Sequence, residues 1–296
     1  IPSFSIGVRT RSYLKVQDGC NYNCTFCTIP LARGISRSNS IKETLKVANK
    51  LAESEVREIV LTGVNIGDFG QGKDETFLQL ITEMDKIKNI DRIRISSIEP
   101  NLLNEKIIKF CSKSKKFMPH FHIPLQSGSN KILSMMKRRY NLDLYSRRIK
   151  TIKSIIPDCC IGVDVLVGFP GESESDFLDT YHYLNELPVS YFHVFTYSER
   201  EDTEAFKYGD IVPIKTRSKR SRMLRILSEK KRRHFYNEQL GQKRPVLFES
   251  IKEGYVIGHT DNYVKVKLKD KSKIINTIKH VNLLEIENAE VFAEIA

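Results

Sequence analysis

The stretch Gln17-Asp18-Gly19-Cys20-Asn21-Tyr22-Asn23-Cys24-Thr25-Phe26-Cys27 sets three cysteines in one short loop, directly after Tyr13–Gln17, a segment patterned as a strand. The C-terminal end of a strand is where barrel enzymes place their chemistry. Thiolates are the soft ligands that iron-sulfur clusters need, and a compact loop can wrap three of them around one face of a four-iron cube. Three ligands leave one iron open. A small molecule with an amine and a carboxylate, such as the methionine end of S-adenosylmethionine (SAM), can chelate that iron and take an electron. The competing reading is a structural zinc site, which needs a fourth ligand. No Cys or His stands close after Cys27, and only a distant residue such as His120 or His122 could close it.

Outward from the loop, β-branched runs alternate with amphipathic helical patterns, as in repeated βα units. The predicted strands are Tyr13–Gln17, Glu58–Thr62, Arg92–Ser96, His120–Pro124, Gly162–Val167 and Tyr191–Phe195. Ser40-Ile41-Lys42-Glu43 is a capping box, and Ser173-Glu174-Ser175-Asp176 repeats the device. About six units predict an α/β fold, a partial (βα)6 barrel related to the eight-unit TIM form. Beyond Tyr208 a basic helix is predicted over about Lys215 to Leu240. Strand-like pieces follow at Pro245–Glu249, Tyr255–His259, Tyr263–Leu268, Val281–Ile286 and Val291–Ile295, predicting a small five-stranded antiparallel barrel. The expected division is a linker remnant over 1–10, a core domain over 11–232 and a small RNA-binding domain over 233–296.

The chain has 296 residues and a formal charge of +12, from 48 Lys and Arg against 36 Asp and Glu. Charge concentrates between Lys215 and Arg233, where ten Lys or Arg meet one acid, Glu229. So one-sided a run has few partners for i,i+4 pairing and suits a polyanion such as RNA; the alternative is a solvated helix face. No stretch nears the roughly 18 apolar residues of a membrane span, and the start carries no signal segment, so a cytoplasmic protein without a membrane partner is expected. Cys111, Cys159 and Cys160 have spacings that suit buried core thiols.

The cysteine segment resembles the signature of the radical SAM superfamily. With Thr28-Ile29-Pro30-Leu31-Ala32-Arg33-Gly34 after it, it is similar to the methylthiotransferases in particular. Leu61-Thr62-Gly63-Val64-Asn65, Ser96-Ser97-Ile98-Glu99-Pro100, His120 to Ser129 and Gly162 to Glu172 resemble that family in the same order. The resemblance implies a [4Fe-4S] cluster on Cys20, Cys24 and Cys27, which also makes them the catalytic centre. It further implies reductive SAM cleavage to a 5'-deoxyadenosyl radical, and an electron donor such as flavodoxin or ferredoxin. The small barrel resembles the TRAM domain, an OB-like module linked to tRNA binding.

Expected SAM contacts are Gly63, Asn65, Ser97, Glu99, Gln126, Ser127, Asp164 and Gly168, each of which could also be an ordinary turn, loop or core residue. Arg33, Arg37 and Arg200 are candidate substrate contacts, and Tyr255 and Tyr263 candidate base-stacking residues; Phe248 is expected inside the small barrel. Asp202 stands where the family has Gly. Family members carry a further N-terminal domain with a second cluster, and nothing before Arg11 corresponds to it. Taken alone, this chain is expected to cleave SAM without completing sulfur insertion. The blocks look most like the branch acting on threonylcarbamoyladenosine beside the tRNA anticodon, ahead of the isopentenyladenosine and ribosomal-protein branches.

Overall fold

The computed structural model describes residues 10–269 and 272–296, so the expected linker over 1–10 lies, Thr10 apart, outside the described residues. Six parallel strands form where β-branched runs predicted them: β1 (Arg11–Lys15), β2 (Glu58–Thr62), β3 (Arg92–Ile95), β4 (His120–His122), β5 (Cys160–Val167) and β6 (Tyr191–Thr196). Each is followed by helix. Ladders join β1-β2-β3 and β4-β5-β6. Among the described residues, only isolated bridges run between the two sheets, Ile93 to Phe117 and Ser97 to His122. Ile123 and Leu125 still donate to Gly162 and Asp164 on β5, but Pro124 between them has no N–H for the β3 side. Among the described residues no ladder joins β1 to β6, so the barrel is open on that side.

The capping box at Ser40 and Glu43 starts Ile41–Ala52, and Ser173 with Asp176 starts Glu174–Glu186, both as predicted. A third box, Thr76 with Gln79, opens Phe77–Met84. One apolar core, from Leu14 and Ile59 to Val163 and Leu224, lies between strands and helices.

The basic helix, Ile214–Asn237, packs on β6, where the Ser228 hydroxyl bonds the Phe192 N–H and C=O. The expected division at 232/233 falls within this helix, where its side chains change partners. Leu224 and Leu227 belong to the large core, and Phe235 and Tyr236 to the core of the small barrel. That barrel comprises β7 (Lys243–Lys252), β8 (Tyr255–Thr260), β9 (Lys265–Lys269), β10 (Ile278–Glu287) and β11 (Glu290–Ile295), closed in the order β8-β9-β11-β10-β7. Four seams are antiparallel as predicted; the β9–β11 seam is parallel, because β10 intervenes in the chain and reverses the direction. Phe248 is fully buried inside.

The small barrel caps the N-terminal ends of the large one. Arg92 donates to the His259 and Pro245 carbonyls at 3.0 and 2.8 Å, and Arg94 to the Asp261 carbonyl at 3.2 Å. Arg94 also pairs with the fully buried Glu58 at 3.0 Å, and Arg11 bridges Glu58 and Glu249. Arg244 ties Asp158 to Asp261. Such buried pairs add little net stability, but removing one partner costs about 3–5 kcal/mol. Among the described residues no helix is long and apolar enough to cross a membrane.

Candidate active site

The cysteine loop is pinched at its base by a two-residue ladder, Gln17–Asp18 against Arg37–Ser38. Gln17 staples it further: its Nε2 donates to the Gly19 carbonyl at 2.7 Å and Ser36 Oγ at 2.9 Å, and its Oε1 accepts from Asn65 N–H at 2.8 Å. Gly19 sits at φ +70°, where a Cβ would overlap the Ile35 carbonyl. Within the loop, Cys20 N–H bonds Gly34 O and Cys27 N–H bonds Cys24 O, both at 3.1 Å. All three thiols are free and half-buried.

A second segment backs the loop. Thr25 bonds the Met135 and Met136 carbonyls, and the Arg139 guanidinium lies 4.0 Å over the Tyr22 ring. Arg138 matters most here: its Nη1 lies 3.1 Å from Cys24 Sγ, and its Nη2 reaches both Glu99 oxygens, at 2.6 and 2.5 Å. Burial raises the Cys24 thiol, and Arg138 opposes that shift. Burial also pushes the Glu99 carboxyl up, while Arg138 is held well above its ordinary value, against its own burial, by Tyr140, Glu99 and Cys24. One nitrogen thus spans both carboxylate oxygens in a short, charge-assisted contact. Sequence reading missed Arg138; the only signal was its place in Lys137-Arg138-Arg139 after the Gln126-Ser127 block.

Beneath the mouth, the barrel interior holds a cavity of 350 Å³ lined by Tyr13, Ser96, His122, Asp164, His193 and others. His122 Nε2 lies 2.9 Å from Asp164 Oδ1 and meets the His193 ring edge-on at 5.3 Å. Deeper, His120 Nε2 contacts the Tyr191 hydroxyl at 3.0 Å, and burial carries the imidazole well below its ordinary value. Tyr263 of the small barrel forms the floor, against His120 at 4.5 Å and under the Arg94 guanidinium at 4.8 Å.

Residues 14–184 match the radical SAM superfamily. This chain belongs to that superfamily. Within radical SAM proteins it belongs to the methylthiotransferase family. It is 37% identical to the threonylcarbamoyladenosine tRNA methylthiotransferase MtaB of Bacillus subtilis, over 96% of this chain and 64% of that protein. It is 33% identical to the tRNA-2-methylthio-N(6)-dimethylallyladenosine synthase of Endomicrobium trichonymphae, over 96% and 68%. The chain thus spans a little under two thirds of the length of the MtaB relative. Two radical SAM structures share the fold: the methyltransferase TsrM from Kitasatospora setae (TM-score 0.57, 13% identity, 66% of this chain and 38% of that one) and the Escherichia coli coproporphyrinogen III oxidase HemN (0.54, 14%, 78% and 53%).

The radical SAM fold implies a [4Fe-4S] cluster and SAM, and the residues fit them. The donor set is three free thiols on one loop, with a guanidinium at hand to offset negative charge. The distant histidines that could close a zinc site, His120 and His122, lie in the lumen against Tyr191 and Asp164.

The other expected residues divide. Glu99 and, through Gln17, Asn65 stand beside the loop; Ser97 and Asp164 line the cavity. Asn65 also has a buried Oδ1 without a partner. Gln126 adopts φ +69°, and its N–H and C=O bond Asp164 and Leu166. Four differ from expectation. The tight approach at Gly63 is to Ile66 and Gln17, the Ser127 hydroxyl is engaged by Thr180 and Ser129, and the space at Gly168 is filled by Arg217. Tyr263 forms the cavity floor rather than an exposed stacking face. Arg33 and Arg37 are exposed at the rim on Asp18, at 3.4 and 3.0 Å, and Arg200 is exposed, its carbonyl closing a turn with Thr203. Asp202 fits that turn without positive φ, so Gly is not required there. Tyr255 packs edge-on against Phe292 on the small barrel and does not line the cavity. Cys111, Cys159 and Cys160 are buried in the core, as expected.

Proposed function

We propose that the protein carrying this chain is a tRNA methylthiotransferase that converts threonylcarbamoyladenosine beside the anticodon to its 2-methylthio derivative. In this reading residues 11–232 cleave SAM, and 233–296, a TRAM-type barrel, help to bind tRNA. Cys20, Cys24 and Cys27 hold the cluster, which when bound supplies the electron that cleaves SAM. The observation that carries the reading is the loop itself: three free thiols at the barrel mouth, backed by Arg138 and Glu99.

The chain's own residues orient and shield. Gln17 and the ladder at its base fix the loop, Arg138 locks Cys24 to Glu99, and Ser97, Gln126 and Asp164 offer polar groups where SAM would lie. The Arg138 and Glu99 side chains are shielded from solvent, which suits a site that must keep water from a reactive radical. On the basic helix, Arg217 and Arg220 are buried on Glu199 and Glu172, leaving Lys215, Lys219, Arg222, Arg225, Lys230 and Arg233 exposed to meet phosphates.

The dimethylallyladenosine-type relative makes an isopentenyl substrate the second reading. The test offers full-length enzyme, a sulfur source and a flavodoxin or ferredoxin reductant to tRNAs carrying threonylcarbamoyl- or isopentenyladenosine, with mass spectrometry of the nucleosides. Methylthio product on the threonylcarbamoyl tRNA alone is expected; product on the isopentenyl tRNA alone, or equally on both, overturns the substrate.

A further inference from the structure

We propose that RNA reaches the site through the open side of the large barrel: its backbone lies along a groove between the basic helix and β6, and the target base turns in past Phe195 to rest against Tyr13. The inference rests on the RNA-modifying reading above and adds to it a route and the side chains that hold the base.

The order of side chains along β6 lays out the route. Strand alternation puts Tyr191, His193 and Phe195 on one face. Tyr191 and His193 line the 350 Å³ cavity, so Phe195 continues that face towards the mouth, at the C-terminal end of the strand. Thr196 points the other way and lines a groove with Ser218, Arg222, Arg225, Ile226 and Glu229 of the basic helix. Among the described residues no ladder seals β6 against β1, so a strand of RNA on the groove has the free edge of β6 between it and the cavity. Exposure marks the same edge: Phe195 is 51% exposed, and Tyr13, which faces the cavity from β1, 45%. Single exposed apolar side chains are ordinary, but these two rings belong to the two strands that flank the opening.

Charge divides the two parts of the route. The groove sets two guanidiniums against one carboxylate, Glu229, and Lys219 and Lys230 are exposed on the same helix, a surface suited to phosphates. In the cavity the charged groups meet one another: Asp164 lies against His122, and Arg11 and Arg94 against Glu58, with Arg11 also on Glu249. What it offers a guest is the ring and aliphatic surface of Tyr13, Val60, Ile95, Tyr191, His193 and Tyr263. Its volume is at the low end of small-ligand sites, about 300–1,000 Å³, which suits one base rather than a length of strand. An enzyme that acts on a ring atom must take the base out of its stack, and aromatic side chains offset that loss whatever the base.

The experiment compares two anticodon stem-loop RNAs, one with adenosine at the target position and one abasic there, binding to anaerobic full-length holoenzyme with SAM and no reductant, read by fluorescence anisotropy. The wild type should bind the adenosine loop about fivefold or more tighter, the effect of one stacked base. Phe195→Leu keeps apolar bulk but loses the ring; it should bring the two loops within about twofold of each other, and Phe195→Tyr should restore the difference. Should Phe195→Leu lose iron, Tyr13→Leu decides by the same criterion. Arg222→Glu should weaken both loops alike, because both carry the phosphates. The route is overturned by an undiminished difference in Phe195→Leu, by a loss that Phe195→Tyr fails to restore, by Arg222→Glu that spares both loops, or by equal binding of the two loops to the wild type. Each of these leaves the RNA reading standing, whereas a wild type that binds neither loop overturns that reading as well.

Discussion

Arg138 links two residues that the chain keeps far apart: its guanidinium bridges Cys24 Sγ at 3.1 Å and the Glu99 carboxylate at 2.6 Å. The bridge holds a thiol in the position of a cluster ligand and a carboxylate in fixed register. Arg138→Lys keeps the charge but loses the fork. Iron and sulfide should still load, while SAM cleavage falls by about 10–100-fold, the usual cost of removing support behind a metal ligand. The check pairs iron analysis with 5'-deoxyadenosine formation, and wild-type cleavage would show that the bridge is incidental.

Cys24→Ala should abolish the brown, oxygen-sensitive absorption of a four-iron cluster, whereas Cys111→Ala should retain it, because Cys111 is buried in the core with its thiol raised by that burial. Stoichiometric zinc without sulfide in the wild type would sink the iron-sulfur assignment.

Glu58 makes the joint between the two barrels sensitive to acid. Burial alone would raise its carboxyl, but Arg94 and Arg11 hold it at about 2. A carboxyl depressed on folding stabilises in full above its unfolded value, here 4.5, and that contribution is lost as the pH falls towards 2. Glu58→Gln should therefore flatten the pH dependence of denaturant stability across that window. At neutral pH it should cost about 3–5 kcal/mol, because Arg94 is left without its partner.

The basic helix should respond to charge reversal in two ways. Arg222→Glu and Arg225→Glu, at exposed positions, should weaken tRNA binding and flatten its log–log salt dependence by about one unit for each phosphate no longer neutralised, with the melting temperature unchanged. Arg217→Glu and Arg220→Glu should instead destabilise the fold, since both side chains are buried on carboxylates. Equal effects of all four on binding and melting would erase the distinction.

What the chain revealed beforehand follows the range of each interaction. Strands and capping boxes are local, and the six βα units and the Ser40 and Ser173 caps stood where β-branched runs and Ser-x-x-acid spacing put them. Arg138 was hidden because its partners lie 114 and 39 residues away and its own neighbours are Lys and Arg. Arg217 and Arg220 looked like part of a solvated stripe for the same reason. Gly168 and Tyr263 misled in another way: a glycine and an aromatic state what is permitted at a position, and only the fold supplied Arg217 for the first and the cavity floor for the second. The parallel seam between β9 and β11 is set by pairing order, which leaves no trace in alternation.

The helix that crosses from one barrel to the other has 24 residues, about 36 Å of rod at 1.5 Å per residue. It is packed into both, with Leu224 and Leu227 in the core of the large barrel and Phe235 and Tyr236 in that of the small one. A rigid joint of this kind turns grip into measurement: an RNA seated on the small barrel would present to the mouth whichever nucleotide lies at one set distance from its landing point. On the tRNA reading proposed above, selection by such a calliper would tolerate changes in loop sequence but not in loop length, so an anticodon arm lengthened or shortened by one base pair would offer the wrong base.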